Sequence, residues 1–191
     1  MAEIGNITIG VTGAAGKMGS ALIREVCATP GFSLVAANEI AGHPMLGCDA
    51  GELAGLTTLD VPINSETGAL FAASDAVLDF TLPGATEGHS LCAARHGTAL
   101  IVGTTGLGSL QQQALEKAGE KAVIVQAPNM SLCVNLLMRL TEQAASLLDD
   151  TFDVEIIEMH HRHKVDAPSG TALGLGQAVA QGRGVTLESA A

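Results

Sequence analysis

Three observations in the 191-residue chain predict an α/β protein built on a doubly wound, mostly parallel sheet. Short all-apolar runs alternate with helical segments along most of the chain, the order that yields a parallel sheet with helices on both faces. The first run passes at once into a glycine turn, Gly13-Ala14-Ala15-Gly16-Lys17-Met18-Gly19, and then into a helix. The runs are rich in Val, Ile, Leu and Ala without a polar face, as strands covered on both sides are.

Residues 7–12 are β-branched and apolar and form the first strand. Apolar Ala21, Leu22, Val26 and Ala28 mark a helix over 20–28 that ends near Pro30-Gly31. Residues 34–37 form the second strand, with Glu39 just beyond its end. Residues 40–75 are Gly- and Thr-rich and are expected to be loops with a minor helix, with surface turns at 49–52 and 64–65. The third strand is 76–80, and the turn 81–84 lies at its C-terminal end, where open α/β sheets place their ligands. A helix over 85–96 is capped by Gly97.

The fourth strand, 99–102, leads into Gly103-Thr104-Thr105-Gly106, a second glycine turn at a strand end. A helix over 109–121 starts with Ser109 as its cap, and the fifth strand is 122–125. Residues 134–148 form a long amphipathic helix with Leu136, Leu137, Leu140, Ala144 and Leu147 as its core stripe. Residues 152–158 alternate polar and apolar over their first half, the period of a strand with one open face. That change of pattern places a domain boundary near 127–131, giving domains 1–129 and 130–191. A small-residue helix follows over 171–181.

A composition that is 47% hydrophobic argues against disorder, and a net charge of −11 argues against a general nucleic-acid binder. With 23 glycines and 2% aromatics, the chain is expected to use tight turns and an aliphatic core. Cys27, Cys48, Cys92 and Cys133 lie far apart with no C-x-x-C, so they are read as small buried hydrophobes rather than a zinc or redox set. The N-terminus has no secretory pattern, and no stretch approaches the roughly 20 apolar residues of a membrane span. The expectation is a soluble cytoplasmic protein with reduced thiols and neither membrane nor nucleic-acid partners.

Strand, glycine turn and helix open a nucleotide-binding βαβ unit of the Rossmann type. Glycines let the backbone turn and approach a pyrophosphate, and the helix N-terminus offers free N–H groups to it. Glu39, twenty residues after Gly19, sits where an acid accepts hydrogen bonds from ribose hydroxyls. The spacing is G-x-x-G-x-x-G rather than G-x-G-x-x-G, so the dinucleotide fingerprint is met in its context more than in its letters.

Titratable groups are densest at Glu158-Met159-His160-His161-Arg162-His163-Lys164, where three of the six histidines fall within four residues. Three readings stand: a metal site, a solvated polar loop, and acid–base chemistry by groups that titrate near neutrality. No H-E-x-x-H pattern accompanies the histidines, and Arg162 and Lys164 would repel a cation. Gly170 and Thr171 start a helix, whose N–H groups and hydroxyl suit a carboxylate. In an extended chain His160 and Lys164 would lie ~13 Å apart, so the chain turns between them or they address different parts of one ligand.

Four segments together resemble the dihydrodipicolinate reductases: residues 11–19, Gly103-Thr104-Thr105-Gly106, Ala127-Pro128-Asn129-Met130-Ser131, and above all residues 158–171, EMHHRHKVDAPSGT. The resemblance implies reduction of 4-hydroxy-tetrahydrodipicolinate to tetrahydrodipicolinate by NADH or NADPH, in diaminopimelate and lysine synthesis. It implies that His160 is the catalytic proton donor or acceptor and Lys164 the second proton donor. It gives His161, Gly170 and Thr171 to the substrate carboxylates. Gly13, Ala14, Ala15, Gly16, Lys17, Met18, Glu39, Gly103, Thr104, Thr105, Ala127, Pro128, Asn129 and Met130 go to the cofactor. No metal is implied, and the partners are a small dicarboxylate and three further copies of the chain in a homotetramer. Where many members have an arginine after the ribose-binding acid, this chain has Ile40, which favours NADH over NADPH. Family chains run on past the position of Ala191, so the second domain is expected to be an incomplete α+β substrate domain. The 191-residue chain is accordingly expected to bind cofactor but to turn over weakly or not at all.

Overall fold

A computed structural model of the chain describes residues 5–127, 129–149, 151–160, 162 and 167–190. It divides into two compact units, Met1–Gln126 and Ala127–Ala191.

The first unit opens with β1 (Ile7–Thr12), α1 (Lys17–Ala28) and β2 (Phe32–Asn38). Then come α2 (Ala50–Leu53), β3 (Ile63–Asn64), α3 (Thr67–Ala73), β4 (Ala76–Asp79), α4 (Pro83–His96), β5 (Ala99–Val102), α5 (Ser109–Ala118) and β6 (Ile124–Gln126). The six strands form one sheet in the order β3-β2-β1-β4-β5-β6, and every neighbouring pair is parallel. This is the doubly wound α/β fold expected from the sequence, with its switch point between β1 and β4.

Alternate strand residues feed two apolar layers. Ile9, Val11, Ile23, Val26, Ala37 and Ile63 cluster together, while Leu70, Phe71, Val77, Leu100, Val102 and Leu115 form a second cluster. Because both faces are covered, the strands have no polar face, which is why they were legible as unbroken apolar runs.

Residues 40–75 are more structured than their loop-like composition suggests. Asp49, expected in a surface turn, caps α2 through hydrogen bonds accepted from Gly51 and Glu52. Its carboxylate also accepts the Leu59 and Val61 N–H groups at 3.0 Å each, closing the loop on itself. Asn64, also expected in a turn, belongs to β3 at the sheet edge. The cap of α5 is Gly108 rather than Ser109. The cysteines are unpaired, and Cys27, Cys48 and Cys133 are exposed rather than buried.

In the second unit the described elements are α6 (Leu132–Leu147), α7 (Gly170–Gly182) and α8 (Leu187–Ala190). Helices α6 and α7 pack closely, with Gly182 against the backbone of α6: a Cβ there would lie 2.4 Å from the Glu142 carbonyl oxygen. The expected core stripe of α6 is open to solvent among the described residues, with Leu136, Leu137 and Leu140 at least half exposed and Ala145 buried instead. Residues 152–158, expected as a strand, pair with no strand among the described residues. They are tied to α7 by side chains instead. Arg183 donates to the Phe152 carbonyl, and Glu158 accepts from Ser169. A strand is defined by its ladder, and alternation alone does not supply one.

Candidate functional site

The functional groups of the first unit gather at the C-terminal ends of β1, β2, β4 and β5. Gly13 adopts a left-handed φ of 64° that turns the chain out of β1. Gly19 lets α1 lie on that turn, since a Cβ there would come 2.1 Å from the Gly13 carbonyl oxygen. Gly16 caps α1 without a side-chain hydrogen bond, so the first N–H groups of the helix are open to an anion. Glu39 reaches back to the same turn, where its Oε1 accepts the Ala15 N–H at 3.0 Å.

Between these groups lies a cleft of about 470 Å³, lined by Gly13, Gly16, Asn38, Glu39, Ile40, Thr67, Phe80, Thr81 and His89 among others. A glycine cradle, an uncapped helix start and an acid beside it are what a dinucleotide pyrophosphate and ribose require, so these residues fit a nicotinamide dinucleotide. Another depression, of about 500 Å³, lies between α4 and α5 and carries none of the strand-end loops.

The predicted cofactor residues are only partly assembled around this cleft. Gly13, Gly16 and Glu39 line it, Ala14 and Ala15 belong to the same turn, and Lys17 and Met18 open α1. Gly103 and Thr104 join it through Asp79 and Thr81: Gly103 N–H donates to the Asp79 carbonyl at 2.9 Å, and Thr81 N–H donates to Thr104 Oγ1 at 3.0 Å. Thr105 is exposed after β5. Pro128 lies outside the described residues, and Ala127, Asn129 and Met130 belong to the second unit.

Sequence reasoning passed over a buried network under the cleft floor. Asp79 is fully buried at the end of β4 and His89 is 7% exposed on α4. His89 Nδ1 lies 2.7 Å from Asp79 Oδ2, while Thr81 Oγ1 and Thr12 Oγ1 donate to Asp79 Oδ1 at 2.6 and 3.2 Å. Burial pushes the Asp79 carboxyl up, but the hydrogen bond and charge of His89 and the two threonine hydroxyls outweigh it and hold the group below its ordinary value. The one available signal was an acidic residue ending an otherwise apolar strand.

In the second unit, Ser169 caps α7 by accepting the Ala172 N–H, and Gly170 and Thr171 form the first turn. Asn129, expected at the cofactor, donates from Nδ2 to Thr171 Oγ1 at 3.2 Å, joining it to a residue expected at the substrate. Glu158 holds two parts of this region together. Its Oε2 lies 2.8 Å from His160 Nε2, and its Oε1 accepts the Ser169 N–H at 2.9 Å. His161 and Lys164 lie outside the described residues. Among the described residues no group of three or more His, Cys, Asp or Glu side chains could hold a metal ion.

Hydrogen bonds from Ser169 and His160 lower the Glu158 carboxyl from 4.5 to about 2. A depressed carboxylate stabilises the fold fully above its unfolded value, and that contribution is lost as pH falls toward the folded value. We therefore predict that the link between residue 158 and α7 is intact above pH 4.5 and is lost as pH falls toward about 2. The carboxyl carbon shift of Glu158, followed by NMR, should show a midpoint well below 4.5 together with a change at the Ser169 N–H. A midpoint at the ordinary value would contradict the link.

Two family models match the chain, "Dihydrodipicolinate reductase, N-terminus" over residues 7–130 and "Dihydrodipicolinate reductase, C-terminus" over residues 133–189. The chain is 47% identical over 178 residues to the 4-hydroxy-tetrahydrodipicolinate reductase of Bradyrhizobium sp. (strain ORS 278), covering 93% of this chain and 65% of that protein. It is 50% identical over 188 residues to 4-hydroxy-tetrahydrodipicolinate reductase 1 of Mesorhizobium japonicum, covering 98% and 69%. A solved structure, dipicolinate-bound dihydrodipicolinate reductase from Paenisporosarcina sp. TG-14, matches with a TM-score of 0.74 and 30% identity, over 93% of this chain and 66% of that one. The chain thus spans about two thirds of the length of these relatives. No helix among the described residues is long and apolar enough to cross a membrane.

Proposed function

The chain belongs to the dihydrodipicolinate reductase family, and from that premise we propose that it serves the NAD(P)H-dependent reduction of 4-hydroxy-tetrahydrodipicolinate to tetrahydrodipicolinate. A bound NADH or NADPH supplies the hydride. Gly13 to Met18 would hold its pyrophosphate at the open start of α1, and Glu39 would accept its ribose hydroxyls. Gly103 to Thr105 and Ala127 to Met130 would complete the cofactor site. Gly170, Thr171 and His161 would hold the substrate carboxylates, His160 would move a proton at the reacting ring, and Lys164 would supply the second proton. The dipicolinate in the Paenisporosarcina relative, a ring dicarboxylate, supports such a ligand.

The observation that carries the proposal is the Glu158 link. One carboxylate fastens the imidazole of His160 and the N-terminal turn of α7, so a proton carrier and a carboxylate-binding helix start are held by the same side chain. Unpaired cysteines suit a reducing cytoplasm, and assembly into a tetramer belongs to the same proposal.

Glu39 is followed by exposed Ile40 rather than a cation, so nothing at that position offsets the repulsion between the Glu39 carboxylate and a 2′-phosphate. NADH is accordingly expected to bind more tightly than NADPH, by about tenfold, the scale of one lost charged contact. Titration of the purified chain with each cofactor, run beside an oxidation assay on enzymatically generated substrate, tests both parts. Equal affinities or a preference for NADPH would overturn the selectivity. Binding without oxidation would select a dinucleotide-binding role without turnover.

A further inference from the structure

The buried pair beneath the cleft has no part in the proton transfers proposed above, yet its construction is costly. An ionised carboxylate withdrawn from water is tolerated where donors surround it. Asp79 has three side-chain donors, His89 Nδ1, Thr81 Oγ1 and Thr12 Oγ1. Its backbone carbonyl also accepts the Gly103 N–H at 2.9 Å. One residue therefore ties together the ends of β1, β4 and β5, the strand ends that carry the cofactor loops.

The other side of the imidazole is built differently. His89 is 7% exposed and lies tilted beside Phe71, with ring centroids 6.0 Å apart. It also lines the cleft, and its Nε2 makes no hydrogen bond among the described residues. Nε2 is not among the fully buried unpaired polar atoms of the described residues, so it opens on the cleft, where water or a ligand can bond it. The bond to the Asp79 carboxylate keeps a proton on Nδ1 and leaves Nε2 to the cleft.

We propose that Asp79 and His89 form a dinucleotide-positioning pair, in which the carboxylate fixes the imidazole and Nε2 accepts a hydroxyl or amide N–H from a nicotinamide dinucleotide in the cleft. The inference rests on the dinucleotide reading of the cleft. His89 acts on the ligand directly, while Asp79 is a positioning residue that sets the ring's orientation and tautomer.

Two substitutions separate this role from a purely structural one. In His89→Asn the side-chain amide replaces Nδ1 and can keep the bond to Asp79, but nothing reaches the place of Nε2. In His89→Gln the amide replaces Nε2 and the bond to Asp79 is lost. The probe is NADH, titrated into the purified chain by calorimetry, with thermal melts of each variant. His89→Asn should bind NADH about tenfold more weakly than wild type, the loss of one hydrogen bond, with its melting temperature little changed. His89→Gln should melt lower yet bind within about threefold of wild type. If His89→Asn binds as wild type does, or if affinity merely follows melting temperature across the variants, the pair is structural and the proposal is overturned. In wild type, the Nε2 resonance in ¹⁵N NMR should shift on adding NADH while Nδ1 stays protonated, and an unmoved resonance would count against it equally. Failure of wild type to bind NADH would instead overturn the dinucleotide reading, and this inference with it.

Discussion

His160→Ala is expected to lower kcat for substrate-dependent NADH oxidation by about 10²–10⁴, the usual range for removing a positioned acid or base. The dissociation constant for NADH should stay within about twofold, because the residues that line the dinucleotide cleft all belong to the first unit and His160 to the second. The motivating geometry is the 2.8 Å contact between His160 Nε2 and the Glu158 carboxylate, which orients the ring and leaves Nδ1 as the atom the proposal gives to the substrate. Alanine removes both the proposed proton carrier and the partner of the Glu158 carboxylate. Stopped-flow oxidation and NADH titration of the same preparation measure the two effects. A variant that retains wild-type kcat, or that loses cofactor affinity as strongly as turnover, would end the assignment of His160 as proton carrier.

Gly19→Ala should have the largest effect on the first unit. A Cβ at residue 19 would lie 2.1 Å from the Gly13 carbonyl oxygen and 2.7 Å from Ala14 Cα. Both neighbours are backbone, so no rotamer change relieves the clash and α1 must lift away from the turn. Overpacking of this kind costs about 3 kcal/mol, which in a chain of this length lowers Tm by about 6–12 °C. Moving α1 also moves the open N–H groups at its start, so NADH affinity should fall by more than about tenfold. Thermal melts and NADH titration decide it, and a variant with unchanged Tm and affinity would mean that α1 does not sit as described.

The parts of this protein that were legible in its sequence share a local origin. Residues 7–12, 76–79 and 99–102 are strands covered on both faces, so burial writes itself as an unbroken apolar run. The glycine turn and Glu39 were legible because backbone geometry and spacing demand particular residues at particular positions. Elsewhere tertiary context overrode the local pattern. β3 is two residues long and joins the sheet through its pairing with β2. Residues 152–158 carry strand alternation, but hydrogen bonds with Arg183 and Ser169 replace a ladder. His89 escaped notice because the buried face of α4 is Thr86, His89, Ser90 and Ala93, which leaves no apolar stripe to read.

By itself, then, the sequence determined the succession of strands and helices, the glycine turn with its acid, and the concentration of histidines next to a helix start. The tertiary structure alone decided which of these meet. Parallel pairing of β1 with β4 and of β4 with β5 brings Thr12 beside Asp79, and Asp79 beside Val102. Thr12 and Asp79, 67 residues apart in the chain, become hydrogen-bonded neighbours. His89 then completes the pair from the helix that follows β4. Local periodicity reports burial because burial repeats with the turn of a helix or the pleat of a strand. A hydrogen bond between distant residues has no period, so it leaves no trace in the chain until the sheet has formed.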